Sequence, residues 1–337
     1  MYGEYHNIKI SGIQAAVPMQ TFDNEKYAEN GDNKRIKKFI NYTGIKRRHL
    51  VEKGQSASDL SAYAAELLIE KLGWDKNEIR VLVNVTQSAD MRTPSTAMII
   101  QKRLEIGTDC LAFDVNLGCS AYPSGIQIVA ALLQNTGGKG LLLVGDGLYS
   151  EPKEPYGRDA LLFGDGAAAT AIELQDECNM YYTQYTDGSR FNVLCSPWGK
   201  ELVMDGNAIL LMALNEASKS IVDFKDHFNI PEEKIDYYIL HQAQKIIIDG
   251  MIDACGLDGD KVLRSYDEYG NTSSATLPIT ICSNYEKIRK KGKSVSLYLC
   301  GFGVGLAWNG ALITVDTDKI FPLIETDFKY NDLIDYV

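Results

Sequence analysis

A cysteine at the expected start of a helix is the residue in this sequence whose setting most favours covalent chemistry. Cys119 follows Gly118 and precedes Ser120 and a run of apolar residues with helical spacing. Free N–H groups and the dipole at a helix N-terminus favour the thiolate, which is the nucleophilic form of cysteine. Most free cysteines are small buried apolar side chains. The glycine turn before Cys119 and the helix expected after it favour the interpretation that this cysteine is a nucleophile.

Two further polar residues occupy comparable turns. His241 follows four apolar residues, and Asn271 lies directly after Gly270. Each has a simpler explanation, because a lone histidine is more often a structural hydrogen-bonding group and asparagine commonly caps a helix. Together, a neutral imidazole N–H and an amide NH₂ can stabilise a developing enolate. The three residues therefore indicate carbanion chemistry beside a thioester.

The elements that carry these residues occur twice in the chain. Three pairs of segments match at nearly one offset, namely residues 79–87 with 235–243, 140–147 with 295–303, and 114–120 with 267–273. The first pair lies 156 positions apart and aligns His241 with Val85. In the third pair we expect a strand end, a glycine turn and a helix start in both segments, with Cys119 and Asn271 separated by 152 positions. Such matches indicate an internal duplication.

The duplication predicts two similar halves of one α/β protein. Apolar runs of strand length alternate with helical segments, as in proteins with buried strands. We predict an N-terminal half at residues 1–175, which carries the nucleophile, and a C-terminal half at 176–337, which carries the histidine and asparagine. Matched turns then converge at one site, as ligand sites do beyond the carboxyl ends of strands in α/β sheets.

The composition argues against several classes of protein. The chain has 337 residues, 45% of them hydrophobic, and a net charge of −11, which argues against a general nucleic-acid surface. Its seven cysteines form no CxxC pair, so neither a disulfide framework nor a zinc site is expected. A polar N-terminus and the lack of a long apolar run predict neither a signal peptide nor a membrane span. We therefore expect a cytoplasmic protein.

The motifs together resemble those of the thiolase-fold condensing enzymes, most closely the β-ketoacyl-acyl-carrier-protein synthase III family. The resemblance runs through nearly the whole chain and rests on residues 43–49 (TGIKRRH), 114–120 (DVNLGCS), 163–167 (FGDGA), 241–243 (HQA), 270–273 (GNTS) and 301–303 (GFG). It implies a thiolase-like fold with a duplicated five-layer αβαβα architecture and a homodimer.

The resemblance also implies an acyltransferase that works in two stages. Cys119 takes an acyl group from acyl-CoA, malonyl-acyl carrier protein loses CO₂, and the carbanion attacks the thioester to give a 3-oxoacyl product. This reaction serves fatty-acid initiation or specialised lipid synthesis. His241 and Asn271 assist it, and the backbone N–H groups of Cys119 and Val304 form the oxyanion hole. No cofactor or metal is implied beyond the CoA and carrier-protein thioesters.

The chain departs from the family pattern where substrates bind. Lys38 stands where the family usually has a tryptophan that stacks on the CoA adenine, and Val304 replaces the middle glycine of a Gly-Gly-Gly run. Thr93 stands where a phenylalanine often precedes the proline of a loop that reaches across the dimer. The predicted substrate contacts are Lys38, Arg92, Thr93, Lys245, Gly303 and Gly305.

Three other functions remain compatible with the sequence. The acyl group on Cys119 could pass to an alcohol or amine without decarboxylation, a version that the altered loop at Thr93 motivates. The order Cys, His, Asn is shared with papain-like hydrolases, although their local signature around the cysteine is missing. A non-catalytic dimerising partner is the third alternative, for which an intact set of three polar residues is poor support.

Overall fold

The computed structural model describes residues 1–26, 33–147, 161–197 and 202–332. Its strands are β1 Tyr2–Tyr5, β2 Ile8–Pro18, β3 Thr21–Asp23, β4 Arg47–His49, β5 Ile79–Val85, β6 Leu111–Val115, β7 Lys139–Asp146, β8 Gly166–Leu174, β9 Met180–Thr186, β10 Leu194–Cys195, β11 Val203–Met204, β12 Tyr237–Leu240, β13 Ser294–Gly303, β14 Ala307–Asp316 and β15 Ile324–Thr326.

The α-helices are α1 Asn33–Thr43, α2 Ala57–Leu72, α3 Thr96–Arg103, α4 Ala121–Thr136, α5 Gly206–Met212, α6 Ser218–Phe228, α7 Lys245–Cys255, α8 Tyr266–Tyr269, α9 Thr276–Ser283 and α10 Tyr285–Arg289. A π-helical segment, Ala213–Ala217, joins α5 to α6.

Two sheets of similar strand order form the centre of the molecule. In the first sheet the order is β2, β8, β7, β5, β6, and in the second it is β1, β9, β14, β13, β12. The strand β5 runs parallel to β7, which is antiparallel to β8, and β12 runs parallel to β13, which is antiparallel to β14. The register pair Val315 with Ile10 joins the two sheets. This repeated order matches the duplication predicted from the sequence.

Helices form three layers around the two sheets. The outer face of the first sheet is covered by α2 and α3, and that of the second by the π-helical segment, α6 and α7. Between the sheets lie α4 and α9, which contact strands of both. The five-layer αβαβα architecture of the thiolase-like fold is therefore confirmed. The division into residues 1–175 and 176–337 stays a prediction.

The central helix α4 is apolar on most of its surface because it packs against a sheet on each side. Ile126, Val129 and Leu133 are fully buried in the largest apolar core. A Cβ atom added at Gly125 would lie 2.6 Å from Leu142 of β7, so the glycine allows the helix to approach that strand closely. The burial of α4 fixes the position of its first turn.

The segment before Asn271 differs from the prediction. A strand end was expected at residues 267–269, whereas Tyr266–Tyr269 forms one turn of helix, α8, which Gly270 ends at a φ of 66°. Tyr266 and Tyr269 are three positions apart and pack against apolar cores. A helical turn presents residues at this spacing on one side, whereas a strand would turn them to opposite faces. Asn271 then pairs with Phe163 in an isolated parallel bridge.

No helix in the described ranges is both long and apolar enough to cross a bilayer.

The burial of α4 predicts a large stability difference between two leucine-to-alanine variants. Leu133→Ala empties a fully buried site and should lower the free energy of unfolding by about 2–5 kcal/mol. Leu211→Ala is the matched control, because Leu211 also lies on a helix but is 59% exposed, and its change should stay within about 0.5 kcal/mol. Urea unfolding followed by circular dichroism measures both. Equal losses would contradict a buried central helix.

Candidate active site

Cys119 lies where the structure turns from β6 into α4. The Ala121 N–H donates to the Gly118 carbonyl over 2.8 Å, which forms the tight turn that begins the helix. The side chain of Cys119 is buried against β13, and a Cβ atom added at Gly303 would lie 2.7 Å from the Cys119 Cβ and 3.3 Å from its Sγ. Gly303 has a φ of 153°. The thiol therefore needs a glycine at this position of β13.

Burial, rather than the helix terminus, dominates the titration of Cys119. It raises the pKa of the thiol to about 12, and the negative charge of Asp146 acts in the same direction. The Ser273 hydroxyl and the backbone N–H groups of Cys119 and Val304 lower the pKa by a smaller amount. The helix N-terminus favours the thiolate, as the sequence indicated, but the desolvation cost of a buried anion exceeds that stabilisation. The resting group is the thiol.

His241 lies directly beyond β12. Its backbone N–H donates to the Cys300 carbonyl over 2.8 Å, and its carbonyl accepts from the Ala243 N–H over 2.8 Å. The ring meets Phe302 edge to face at 5.3 Å between ring centroids, and Nδ1 is buried without a hydrogen-bond partner. Burial lowers the pKa of His241 to about 3, so the imidazole is neutral. A neutral ring can still donate one N–H.

Asn271 is fixed by both its backbone and its side chain. The backbone N–H donates to Leu162 over 3.0 Å, and the carbonyl accepts from the Gly164 N–H over 3.1 Å. The side-chain Oδ1 accepts the Ser273 N–H over 3.0 Å, which leaves the amide NH₂ as a donor for a bound molecule. Of the two explanations offered by the sequence, helix capping does not hold, because the N-cap of the 3₁₀ turn Ser273–Ala275 is Thr272; Asn271 lines the cavity instead.

One largely apolar cavity brings these groups together. It encloses about 660 Å³, measured out to its open mouth. The lining residues are Gln87, Cys119, Leu162, Phe163, Leu194, Leu202, Met204, Gly206, Ile209, His241, Ala243, Gln244, Ile247, Asn271, Ser273, Phe302, Gly303 and Val304. Since apolar side chains form most of the wall and a few polar groups share it, the cavity suits a largely apolar molecule with a polar reacting group.

Five of the predicted site residues line this cavity, and five do not. Those in the lining are Cys119, His241, Asn271, Gly303 and Val304. The others are Lys38, Arg92, Thr93, Lys245 and Gly305; the first four are exposed, and the Lys245 ammonium lies 2.5 Å from the Asp249 carboxylate. Their predicted contacts with substrate remain predictions.

Three polar residues near the thiol escaped the sequence analysis. Gln87 and Ser273 line the cavity, and Asp146 is buried at the end of β7, where its charge acts on Cys119. Position offered a signal for each, because Gln87 and Asp146 lie in segments that belong to the internal repeat and Ser273 follows Asn271 by two residues. Over the described part of the chain, no group of three or more His, Cys, Asp or Glu could hold a metal ion.

The low pKa of His241 predicts a ring that does not titrate near neutrality. With a pKa of about 3, its imidazole should stay neutral from about pH 8 down to about pH 5. ¹⁵N NMR of histidine-labelled protein measures this, and a His241→Gln variant assigns the signal by its loss. A midpoint close to that of a free imidazole would show that burial does not control this ring.

Two family models and several curated relatives match this chain. The family model described as 3-oxoacyl-(acyl-carrier-protein) synthase III matches residues 113–188, and the model of its C-terminal region matches residues 226–315. The β-ketoacyl-(acyl-carrier-protein) synthase III of Streptococcus uberis is 33% identical over 81% of this chain and 89% of its own length. The synthase III of Neisseria meningitidis is 30% identical over 90% of this chain and 98% of its own.

A solved structure shows the same architecture. The 3-oxoacyl-(acyl-carrier protein) synthase from Burkholderia xenovorans superimposes with a TM-score of 0.91 and 29% identity, and the match covers 97% of this chain and 99% of that one. The cavity with Cys119, His241 and Asn271 thus lies in a thiolase-like fold that this chain shares with the Burkholderia synthase. The chain belongs to the β-ketoacyl-acyl-carrier-protein synthase III family of condensing enzymes, and it is an acyltransferase of that type.

Proposed function

We propose that Cys119 takes the acyl group of an acyl-CoA as a thioester and that malonyl-acyl carrier protein then condenses with it, with loss of CO₂, to give a 3-oxoacyl product. The observation that carries this proposal is the position of Cys119, His241 and Asn271 along one apolar cavity. The relatives named above support the same reaction class. The substrates supply the thioesters, and no separate cofactor is proposed.

The first stage transfers the acyl group to sulfur. The Cys119 thiol loses its proton as Sγ attacks the thioester carbonyl, the new C–S bond forms, and the bond to the CoA sulfur breaks. CoA leaves and gains a proton, so the step releases CoA as its thiol and no net proton. The backbone N–H groups of Cys119 and Val304, which already act on the thiol, are the donors available to the oxyanion of the tetrahedral intermediate. The valine at position 304 leaves this donor in place, because the backbone provides it.

The second stage forms the new carbon–carbon bond. The malonyl group loses CO₂, its electrons form an enolate, and the carbanion attacks the acyl carbon while Cys119 leaves as the thiolate. The Asn271 amide and the neutral His241 N–H donate to the enolate oxygen. Because decarboxylation needs no base to remove an α-proton, a histidine whose burial keeps it neutral suits this step.

The apolar wall of the cavity is the proposed path for the substrate arm. Leu202, Met204, Ile209 and Ile247 line it. A thioester on a long flexible arm reaches Cys119 through such a passage and excludes water from the reacting groups. A second copy of this chain is the proposed partner in a homodimer, and the exposed cations Lys38, Arg92 and Lys245 remain predicted contacts for the anionic substrates.

The proposed reaction predicts an isolable acyl-enzyme. Purified protein mixed with a panel of acyl-CoA thioesters should gain the mass of one acyl group on Cys119, as seen by intact mass spectrometry, and should release labelled CO₂ once malonyl-acyl carrier protein is added. Cys119→Ser should show neither. Asn271→Ala should still form the acyl-enzyme but should condense about 10²–10³-fold more slowly, since one donor to the enolate is lost.

The outcomes of this assay separate the alternatives. Acylation followed by transfer to an alcohol or amine, with no CO₂ released, would favour an acyltransferase without decarboxylation. No acylation across the whole donor panel would contradict both versions. Equal losses of acylation and condensation in Asn271→Ala would show that Asn271 acts before the second stage.

The close contact between Gly303 and the Cys119 thiol predicts that adding one methyl group at position 303 greatly slows acylation. Gly303→Ala places a Cβ atom where Cys119 now lies, and the displaced sulfur should be acylated about 10²-fold more slowly. Gly206→Ala is the matched control, because Gly206 lines the same cavity and a Cβ atom there meets no atom within 4 Å. Stopped acylation reactions analysed by mass spectrometry measure both rates. Equal rates in the two variants would contradict the close approach.

A further inference from the structure

Gln87 is a polar side chain of the cavity wall that the proposed reaction does not use. It lies just beyond β5, in the N-terminal half of the chain, which also provides Cys119. The other polar side chains of the wall all come from the C-terminal half, and they are His241, Gln244, Asn271 and Ser273. In the internal repeat, residue 87 corresponds to residue 243, which is an alanine of the same wall. Only one of the two corresponding positions thus carries a polar side chain.

The glycine before the nucleophile makes room for the Gln87 side chain. A Cβ atom added at Gly118 would overlap the Gln87 Oε1 and would lie 3.0 Å from its Cδ. The φ of Gly118 lies outside the left-handed region, so its backbone conformation does not require glycine. Consecutive Cα atoms are about 3.8 Å apart, so the amide lies against the residue next to Cys119. A larger residue at position 118 would therefore displace this amide.

Gln87 is fixed through its backbone, whereas its side-chain amide has few partners. The backbone N–H donates to the Asp146 carboxyl over 2.7 Å, which holds the residue beside the end of β7. The side-chain Nε2 donates to the Asn116 Oδ1 over 3.5 Å, which is a long hydrogen bond. Within the described ranges, no N–H or O–H group donates to the Gln87 Oε1. A carboxamide can donate two hydrogen bonds and accept two, so most of this capacity is available to a bound molecule.

A bound thioester would place its acyl group on the Gln87 side of the nucleophile. The proposed path of the arm is lined by residues of the C-terminal half, namely Leu202, Met204, Ile209 and Ile247. The arm and the acyl group leave the carbonyl carbon in different directions, because each is bonded to it separately. With the arm in this path, the acyl group extends toward the wall that the N-terminal half provides, where Gln87 lies close to Cys119.

We propose that Gln87 is a specificity-determining residue that binds an oxygen substituent of the acyl group, so that the preferred donor is an acyl-CoA with a hydroxyl group on its third carbon. That carbon lies a few bonds from the sulfur, which matches an amide beside the residue next to Cys119. A hydroxyl both donates and accepts, and it can therefore bond to the Oε1 and the Nε2 of one amide. An unsubstituted chain offers neither bond, and a site built for a polar group discriminates against such an analogue.

This inference rests on the proposed acyl-enzyme, and a pair of donors that differ by one hydroxyl group tests it. Butyryl-CoA and either enantiomer of 3-hydroxybutyryl-CoA are mixed in equal excess with the enzyme. Intact mass spectrometry measures the two acyl-enzymes, whose ratio equals the ratio of kcat/KM for acylation. The wild type should prefer one 3-hydroxybutyryl enantiomer by about tenfold, which is the effect of one neutral hydrogen bond. Gln87→Met replaces the amide with an apolar side chain of similar length and should bring the ratio to about one.

Two further variants separate the position of the amide from its presence in the cavity. Gln244→Met is the matched control, because Gln244 is also a glutamine of the cavity wall but belongs to the arm side, directly before α7. Its ratio should stay at the wild-type value even if both donors react more slowly. Gly118→Ala keeps the Gln87 side chain but displaces its amide, so the ratio should fall toward one. Each ratio compares two donors on the same folded molecules, so a variant that folds only in part still reports its preference.

The outcomes distinguish this inference from the proposed function. A wild-type ratio near one with both enantiomers, or a preference that persists in Gln87→Met, would overturn the role of Gln87. An equal fall of the ratio in Gln244→Met would show that the preference arises from the cavity in general, and would overturn it as well. Acylation without any preference contradicts this inference alone, whereas no acylation by any donor contradicts the proposed function on which it rests.

Discussion

The close approach of two backbones at the thiol is the constraint on which the rest of the site depends. A Cβ atom at Gly301 would lie 3.0 Å from the Cys119 carbonyl oxygen, and one at Gly303 would lie 2.7 Å from the Cys119 Cβ. This contact joins the first turn of α4 to the end of β13, which comes from the other half of the molecule. Both elements are held by the apolar core around α4, so the contact is fixed by packing rather than by a flexible loop.

Desolvation at this contact determines which chemistry is available. The same burial raises the pKa of Cys119 to about 12 and lowers that of His241 to about 3, so both groups rest in their neutral forms. Neutral donors suit a reaction whose intermediate is an enolate. A neutral thiol, however, must lose its proton as it attacks. The features that favour condensation thus create the need for a proton acceptor.

Much of the fold and the centre of the site could be predicted, because the internal repeat indicates the fold and the local motifs indicate the site residues. The matched segments predicted the paired sheets, and Cys119, His241 and Asn271 meet in one cavity. The prediction of a strand before Asn271 was wrong. Tyr266 and Tyr269 are spaced as on a helical turn, and both pack against apolar cores. The helix terminus that favours the thiolate could be inferred from the sequence, whereas the depth of burial that outweighs this effect could not.

The sequence by itself determined the family, the α/β duplication and the identity of the three polar residues, because each depends on residue type and spacing along the chain. Only the tertiary structure decided how these residues act. It brought Asp146 and Ser273 from different halves to the thiol, placed Gly303 against the sulfur, and left Lys38 and Thr93 outside the cavity lining. Burial and distance between remote segments are properties of the packed chain, and these two quantities control the charge of Cys119.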